Sequence, residues 1–240
     1  MIHNAEIQKL LTKKNYSIED LTAIMRILRS EEGCPWDREQ DHKSIRTCLI
    51  EETYEVVEAI DNEDPVLLRE ELGDLLFQIM FHAQIEDEAS RFCVNEVIDD
   101  ISKKMIHRHP HVFGTVEVEN SGEVLVNWEA IKTEEKQRNS LVEKLRAIPP
   151  MMPALMRASK VGKKAGIEVN ALPSALVDKL STDIDRIKAE LTSSSMDREA
   201  VIGSLLMHVT ELSRALDLDA EHALFCETER VIAEVEANQI

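Results

Sequence analysis

The segment VLLREELGDLLFQIMFHAQI, residues 66–85, constrains the fold more than any other part of the chain. Its second half is apolar on nearly every side of a helix, so this helix is predicted to lie at the centre of a hydrophobic core. Asp64 and Pro65 suit the cap and the first position of that helix. A second helix is predicted over residues 44–61. Because only a tight turn separates the two helices, they must run antiparallel.

The composition favours an all-α fold. Because the nearly all-apolar helix cannot be covered within one short module, we also expect each module to pack on its counterpart in a dimer of four-helix-bundle type. The 240 residues include only seven glycines and seven prolines, and 4% of them are aromatic. A β-sandwich or barrel uses more turn-forming and strand-forming residues than that. One short segment, TVEVEN at residues 115–120, alternates as a strand does and is predicted to form one.

The charge balance disfavours several classes of partner. Twenty-eight basic residues stand against 46 acidic ones, a net charge of −18, so we expect no nucleic-acid polymer and no anionic membrane as a partner. An anionic substrate would need a metal ion as intermediary. The four cysteines are scattered without the spacing of a zinc site or a disulfide framework. With no signal peptide and no apolar run near the ~20 residues of a membrane span, a cytoplasmic protein is expected.

Helix breakers and capping residues divide the chain. We expect an N-terminal tail at 1–16, a first module at 17–140, a proline-rich linker at 141–153 and a second module at 154–240. Ser17 and Asp20 form a capping-box pattern at the start of the first module. Pro149, Pro150 and Pro153 prevent a helix from continuing through the linker.

The two modules carry similar short sequences. AIMRILR at residues 23–29 matches ALMRASK 131 residues later, and LGDLLF at residues 72–77 matches IGSLLM 130 residues later. Two matches in nearly constant register indicate a duplicated module.

The first module carries acidic residues at helical spacing. Glu52 and Glu55 lie one turn apart on the helix at 44–61, and Glu71 and Asp74 do so on the next helix. If the antiparallel helices bring the two pairs together, the four carboxylates cannot all stay ionised unless a cation lies between them. Oxygen ligands without histidine or cysteine select Mg²⁺, or Mn²⁺ as a substitute. Acids on helices are often solvated surface residues, but Asp74 stands in an apolar segment where we expect it to be buried.

The pattern E-E-x-x-E, a turn, then E-x-x-D resembles the signature of the all-α nucleoside triphosphate pyrophosphohydrolases, specifically the MazG family. Further segments resemble that family in the same order and cover most of residues 18–165: GCPWDREQ, LIEETYEVVEAI, ELGDLLFQIMFHAQ, HRHPHVFG, NWEAIKTEE and PALMRASK.

The resemblance implies a Mg²⁺-dependent enzyme that splits nucleoside triphosphates between the α and β phosphates into a monophosphate and pyrophosphate. Broad house-cleaning specificity and a homodimer are also implied. Four residues match the family's metal ligands: Glu52, Glu55, Glu71 and Asp74. Glu51 stands beside them as an acid or base.

Several further residues are candidates for substrate binding. By resemblance, Lys104 and Arg108 are the cations that bind the phosphates, and Lys132 is another phosphate contact. A basic pair near a helix C-terminus also arises simply from the helix dipole. Trp36 either stacks on the nucleotide base or packs against the bundle, and packing is the more common role for a single tryptophan.

The second module departs from the acidic pattern. At the same offsets, non-acidic residues replace Glu55, Glu71 and Asp74, namely Arg186, Val201 and Ser204, while Asp183 aligns with Glu52. We therefore expect the first module to be catalytic and the second to be a degenerate copy that binds no catalytic metal.

Other functions remain open at this point. Glu39 and His42 form an E-x-x-H pair, but a di-iron site needs a second such pair. A helical regulatory protein that binds a nucleotide without hydrolysing it is the non-enzymatic alternative. A narrower nucleotide phosphatase, or a hydrolase of another diphosphate-linked metabolite, is the alternative among enzymes.

Overall fold

A computed structural model describes residues 2–136, 140–166, 173–190 and 198–237. These residues form helices and no strand: α1 Ile2–Leu11, α2 Ile18–Leu28, α3 Pro35–Glu39, α4 Arg46–Asp61, α5 Pro65–Glu88, α6 Val94–Arg108, α7 Pro110–Phe113, α8 Ser121–Lys136, α9 Leu141–Arg146, α10 Ala154–Ala165, α11 Pro173–Glu190, α12 Arg198–Ala215 and α13 Ala220–Ala237. The predicted all-α fold is confirmed. None of the described helices is both long and apolar enough to cross a membrane.

The predicted strand at residues 115–120 is wrong. These residues form a loop between α7 and α8. The alternating pattern is real, but no second strand exists in the described ranges to pair with it. A single strand would leave its backbone groups without partners, so the segment does not become one.

The chain forms two compact units, Met1–Trp128 and Glu129–Ile240. The division between the units therefore falls within α8, whereas the proline-rich segment at 141–153 lies inside the second unit and contains α9. The segment expected to be an N-terminal tail contains α1, whose Glu6 pairs with Arg26 of α2. The last three residues of the predicted second module, 238–240, lie outside the described residues.

The first unit is built around α5. Asp64 accepts hydrogen bonds from the backbone N–H groups of Val66 and Leu67 at 2.9 and 3.0 Å, and Pro65 begins the helix, as the sequence predicts. Helices α2, α4 and α6 pack against α5. Helix α5 contributes Met80, Phe81 and Ala83 to the buried core. The other buried residues of this core are Met25 of α2, Ile45 just before α4 and Val94 at the start of α6.

Helix α12 has the corresponding place in the second unit. It contacts α10, α11 and α13 in the way that α5 contacts α2, α4 and α6. Glu221 of α13 accepts hydrogen bonds from the backbone N–H groups of Leu155 and Met156 at the start of α10. Leu176 and Val201 are buried in this unit.

Arg29, at the end of α2, joins three elements of the first unit. Its guanidinium donates two hydrogen bonds to the Glu88 carboxylate at 2.9 and 2.8 Å. It also donates to the carbonyl oxygens of Asp37 and Gln40 and lies 5.1 Å from the centre of the Phe81 ring. The arginine is 8% exposed, so its guanidinium is largely shielded from water, whereas the Glu88 carboxylate remains partly exposed.

We expect Arg29→Met to lower the free energy of unfolding by about 2–3 kcal/mol, because Glu88 and the carbonyl oxygens of Asp37 and Gln40 each lose a charged donor. Urea denaturation measures this loss. Arg26→Met is the matched control, since Arg26 pairs with Glu6 at an exposed position, where an ion pair contributes about 0.5 kcal/mol. Equal losses in the two variants would contradict the role assigned to Arg29.

Candidate metal and phosphate site

Three of the four predicted metal ligands converge between α4 and α5. One carboxylate oxygen from each of Glu52, Glu55 and Glu71 lies within 4.8 Å of the other two. The connection at residues 62–64 turns α5 back along α4, and Glu63 adopts a positive φ of 52° there. Ala59 of α4 has no exposed surface, which is consistent with a close approach of the two helices.

Burial and neighbouring negative charges raise the pKa of two of these acids, Glu52 and Glu71. Burial is the largest cause of the raised pKa of Glu52, followed by a hydrogen bond with Glu55 and by the negative charges of Glu55, Asp74 and Glu71. Burial likewise raises the pKa of Glu71, followed by the charges of Glu55 and Asp74. No basic side chain forms an ion pair with these acids within the described ranges. A set of hard oxygen donors with excess negative charge fits a divalent cation of the Mg²⁺ class.

Asp74 lies at the edge of this cluster. Its charge acts on both Glu52 and Glu71, so it is close to them, but its side chain is exposed. The prediction that Asp74 is buried is wrong for the single chain. The apolar neighbours that suggested burial, Leu72 and Leu76, are themselves exposed.

Glu51 and the two predicted phosphate-binding cations differ in their surroundings. Glu51 is exposed on α4 beside Glu52, and Lys104 is exposed on α6. Arg108 is buried at the end of α6, with its guanidinium 5.3 Å from the centre of the Trp128 ring. Helix α6 packs against α5, the helix that carries Glu71 and Asp74.

Sequence reasoning missed Trp128 as a site residue. A tryptophan face attracts a guanidinium and restricts its orientation. The sequence could have indicated Trp128 as a candidate, because it stands four residues before Lys132 and therefore lies one helical turn from it on α8.

The other residues that the sequence singled out lie apart from the acidic cluster or contact other partners. Trp36 is 59% exposed on α3, so the expectation that it packs against the bundle is wrong for the single chain. Lys132 belongs to the second unit, where its Nζ donates to the Glu129 carboxylate at 3.0 Å.

His42 of the E-x-x-H pair does not contact Glu39. Its ring nitrogens instead contact His82 Nδ1 at 2.7 Å and the Glu86 carboxylate at 2.5 Å. Arg91 and then His42 hold the pKa of Glu86 at about 2.

The second unit holds a different cluster at the aligned positions. Asp183 is 2% exposed and contacts Nδ1 of His208 at 2.6 Å. The Ser204 hydroxyl donates to the same carboxylate at 3.3 Å, and the Arg186 guanidinium lies 3.8 Å from it. The Asp183 carboxylate is thus surrounded by protein donors, in contrast to the acids of α4 and α5.

Comparison with known proteins connects this geometry to a family. Residues 40–113 match the family model of the MazG nucleotide pyrophosphohydrolase domain. The chain is also 43% identical over 233 residues to the nucleoside triphosphate pyrophosphohydrolase of Escherichia coli K12, covering 90% of this chain and 88% of that protein. The chain belongs to the MazG family.

Two further relatives extend the comparison. The Thermotoga maritima nucleoside triphosphate pyrophosphohydrolase/pyrophosphatase MazG is 39% identical over 209 residues, which cover 86% of this chain and 79% of that protein. The nucleoside triphosphate pyrophosphohydrolase of Mycobacterium tuberculosis is 33% identical over 177 residues, 72% of this chain and 54% of that protein. The matched MazG domain includes all four predicted metal ligands and both predicted phosphate-binding cations of α6.

Removing one negative charge from the metal-free cluster is expected to stabilise the protein. Because the pKa of Glu52 is raised above its ordinary value near 4.5, the folded chain keeps a proton that the unfolded chain releases. The stability of the metal-free protein therefore falls as the pH rises from that value through the raised pKa. Glu52→Gln should raise Tm by about 1–3 °C in EDTA at pH 7, measured by scanning calorimetry.

The same change at an isolated acid provides the control. Glu32→Gln removes a charge from an exposed residue of the first unit and should leave Tm within about 0.5 °C. Mg²⁺ should then raise the Tm of the wild type more than that of Glu52→Gln. A lower Tm for Glu52→Gln in EDTA would contradict the repulsion described above.

Proposed function

We propose that this chain hydrolyses the α–β phosphate bond of nucleoside and deoxynucleoside triphosphates with broad specificity, in a reaction that requires Mg²⁺ and accepts Mn²⁺. The observation that carries the proposal is the convergence of Glu52, Glu55 and Glu71, whose oxygens lie within 4.8 Å of one another. The chain's identity to the E. coli and T. maritima enzymes supports the same reaction.

The metal would be held by Glu52, Glu55 and Glu71, with Asp74 beside them. When bound, such an ion neutralises phosphate charge and makes water a better nucleophile. The pKa of Glu52 and that of Glu71 are raised by burial and by the neighbouring negative charges, and a cation held among these carboxylates would offset the repulsion. The cluster therefore favours a cation for its own stability as well as for the reaction.

The other side chains of the first unit would supply substrate binding and proton transfer. Arg108 can form two parallel hydrogen bonds to phosphate oxygens, and its contact with Trp128 fixes the plane of the guanidinium. Lys104, exposed one turn earlier on α6, adds a positive charge. Glu51 is on α4 but is not one of the predicted metal ligands. It is proposed as the base that accepts one proton of the attacking water.

The nucleotide base is proposed to stack on Trp36. Its ring is free of the core and largely exposed on the short helix α3, which leaves an aromatic face for a planar ligand. Lys132 is proposed as an additional phosphate contact, in line with the family resemblance.

The second unit is proposed to be a degenerate copy of the first that serves as a scaffold. The equivalent packing of α12 and α5 supports the duplication. The neighbours of Asp183 support the loss of metal binding, because Arg186 places a positive charge where the first unit has Glu55, and His208 contacts the Asp183 carboxylate. We also propose a cytoplasmic location, since the four cysteines are free and are scattered without a disulfide framework, which suits a reducing compartment. The net charge of −18 disfavours nucleic acid or membranes as partners.

Substitutions at aligned positions test both the hydrolysis and the assignment of the active site to the first unit. Asp74→Asn should lower kcat/KM for pyrophosphate release from a panel of nucleoside triphosphates by about 10³-fold, because the metal loses a carboxylate. Ser204→Ala at the aligned position should change kcat/KM less than about twofold. EDTA should abolish the activity of the wild type.

Other results would exclude these assignments. Full activity in excess EDTA would rule out the metal-dependent mechanism. Loss of hydrolysis in Ser204→Ala with normal hydrolysis in Asp74→Asn would place the active site in the second unit. Nucleotide binding without pyrophosphate release would favour a regulatory protein.

A homodimer is proposed because apolar side chains remain exposed along α4 and α5, including Tyr54, Leu72, Leu76 and Ile79. Covering such a surface with a second copy would stabilise both chains.

Analytical ultracentrifugation at micromolar concentration should give twice the chain mass of 27.3 kDa. Leu72→Glu should shift the protein towards the monomer, while Val142→Glu, an exposed position in the second unit, should not. A monomeric wild type would exclude the dimer.

A further inference from the structure

His42 and His82 form a direct contact between α5 and the segment that joins α3 to α4. His42 lies in that segment, residues 40–45, and His82 lies in the second half of α5. Their Nδ1 atoms are 2.7 Å apart, and the two ring planes differ by 11°. The ring centres are 5.0 Å apart, which is about the largest separation that this nitrogen–nitrogen distance allows. The two nitrogens therefore face each other across an N–H···N hydrogen bond, which contains one proton.

The other ring nitrogen of His42 faces a carboxylate that stays ionised. Nε2 of His42 lies 2.5 Å from the Glu86 carboxylate, which also pairs with Arg91. Arg91 is the main reason why the pKa of Glu86 is held at about 2. Because an ionised carboxylate only accepts hydrogen bonds, Nε2 of His42 carries a proton in this contact.

These hydrogen bonds limit the charge that the two histidines can hold together. With one proton on Nε2 of His42 and one between the Nδ1 atoms, the pair is neutral. One further proton gives a charge of +1 and leaves the N–H···N bond in place. A second further proton would put a hydrogen on both Nδ1 atoms, which cannot stay 2.7 Å apart in that form. Two separated histidines have no such limit and both become charged in acid.

The surroundings of His82 also oppose a second positive charge. Its Nε2 is shielded from water and has no hydrogen-bond partner within the described part of the chain. Burial, and then the charge of His42, lower the pKa of His82 below its ordinary value of 6.5.

The charged groups around the pair are already matched in sign. They belong to α2, to residues 40–45, to the end of α5 and to the turn after it: Arg29, Asp41, Lys43, Glu86, Glu88 and Arg91. Arg29 pairs with Glu88 and Arg91 pairs with Glu86, while Lys43 stands near Asp41. No surplus of negative charge therefore compensates a second proton on the pair.

We propose that His42 and His82 form a pH-sensitive contact that holds residues 40–45 on α5 at neutral pH and releases them in acid. The contact is closed while the two rings share one Nδ1 proton, and it opens when both rings become charged. Opening frees the segment that joins α3, which carries Trp36, to α4, which carries acids of the candidate site. The proposal concerns protonation alone and does not depend on the hydrolysis proposed above.

The number of protons taken up determines how steeply the contact responds to pH. Opening lets the pair bind one more proton, and the pKa of His82 is lowered only in the closed form. The contact is therefore fully stabilising above the ordinary value of 6.5 and weakens as the pH falls below it. The ratio of open to closed forms should rise about tenfold for each pH unit below that value, which is about 30-fold at pH 5.0.

The variant His82→Asn tests the proposal, because its amide offers an oxygen and an N–H group near the position of Nδ1 and does not titrate. Hydrogen–deuterium exchange of peptides covering residues 40–45 compares it with the wild type at the same pH, so that the intrinsic exchange rates cancel. At pH 7.5 the two rates should agree within about threefold. At pH 5.0 the wild type should exchange about 10–30-fold faster than the variant.

His222→Asn is the matched control, because His222 is an exposed histidine on α13 of the second unit. Its exchange at residues 40–45 should follow that of the wild type at both pH values. Equal rates for the wild type and His82→Asn at pH 5.0 would overturn the proposal. Faster exchange in His82→Asn by the same factor at both pH values would also overturn it, because His82 would then contribute packing without a response to pH.

A measurement on the wild type does not require that any variant folds. In protein labelled with ¹⁵N-histidine, the shared proton should give a scalar coupling between two histidine Nδ1 nuclei at pH 7.5. The coupling should disappear at pH 5.0 as both rings become charged. A spectrum without this coupling at pH 7.5, or with it unchanged at pH 5.0, would exclude the proposed contact.

Discussion

The mutual repulsion of carboxylates held between α4 and α5 is the constraint on which the candidate site depends. The connection at residues 62–64 and the core around Phe81 hold the two helices together even though the packing places Glu52, Glu55 and Glu71 within 4.8 Å of one another. Burial, together with this repulsion, raises the pKa of Glu52 and that of Glu71. A bound cation would relieve the repulsion and would thereby couple metal binding to stability.

The two units deal with a buried or half-buried acid in different ways. In the first unit, the acids face one another and lack a basic partner among the described residues. In the second unit, Asp183 is nearly inaccessible to water, and His208, Ser204 and Arg186 satisfy its carboxylate. A carboxylate with its own protein donors has little to gain from a metal ion, because the ion would have to displace them.

Apolar packing connects the site to the rest of the first unit. Helix α5 contributes Met80, Phe81 and Ala83 to the core in its second half and Glu71 and Asp74 to the site in its first half. Arg29 fixes the end of this helix through Glu88 and rests on Phe81. The helix that positions two acids is thus anchored at its opposite end by a buried arginine, which limits its sliding against α4.

The sequence alone determined the helices of the hairpin, their caps and the identity of the acids. Asp64, Pro65 and the spacing of Glu52, Glu55, Glu71 and Asp74 are local features, and helix geometry turns such spacings into faces without knowledge of distant contacts. Only the tertiary structure decided that Asp74 and Trp36 are exposed, that Arg108 lies over Trp128, that Asp183 pairs with His208 and that His42 contacts His82. Burial and hydrogen bonding depend on which elements meet, and a strand-like pattern such as TVEVEN fails where no partner strand is present.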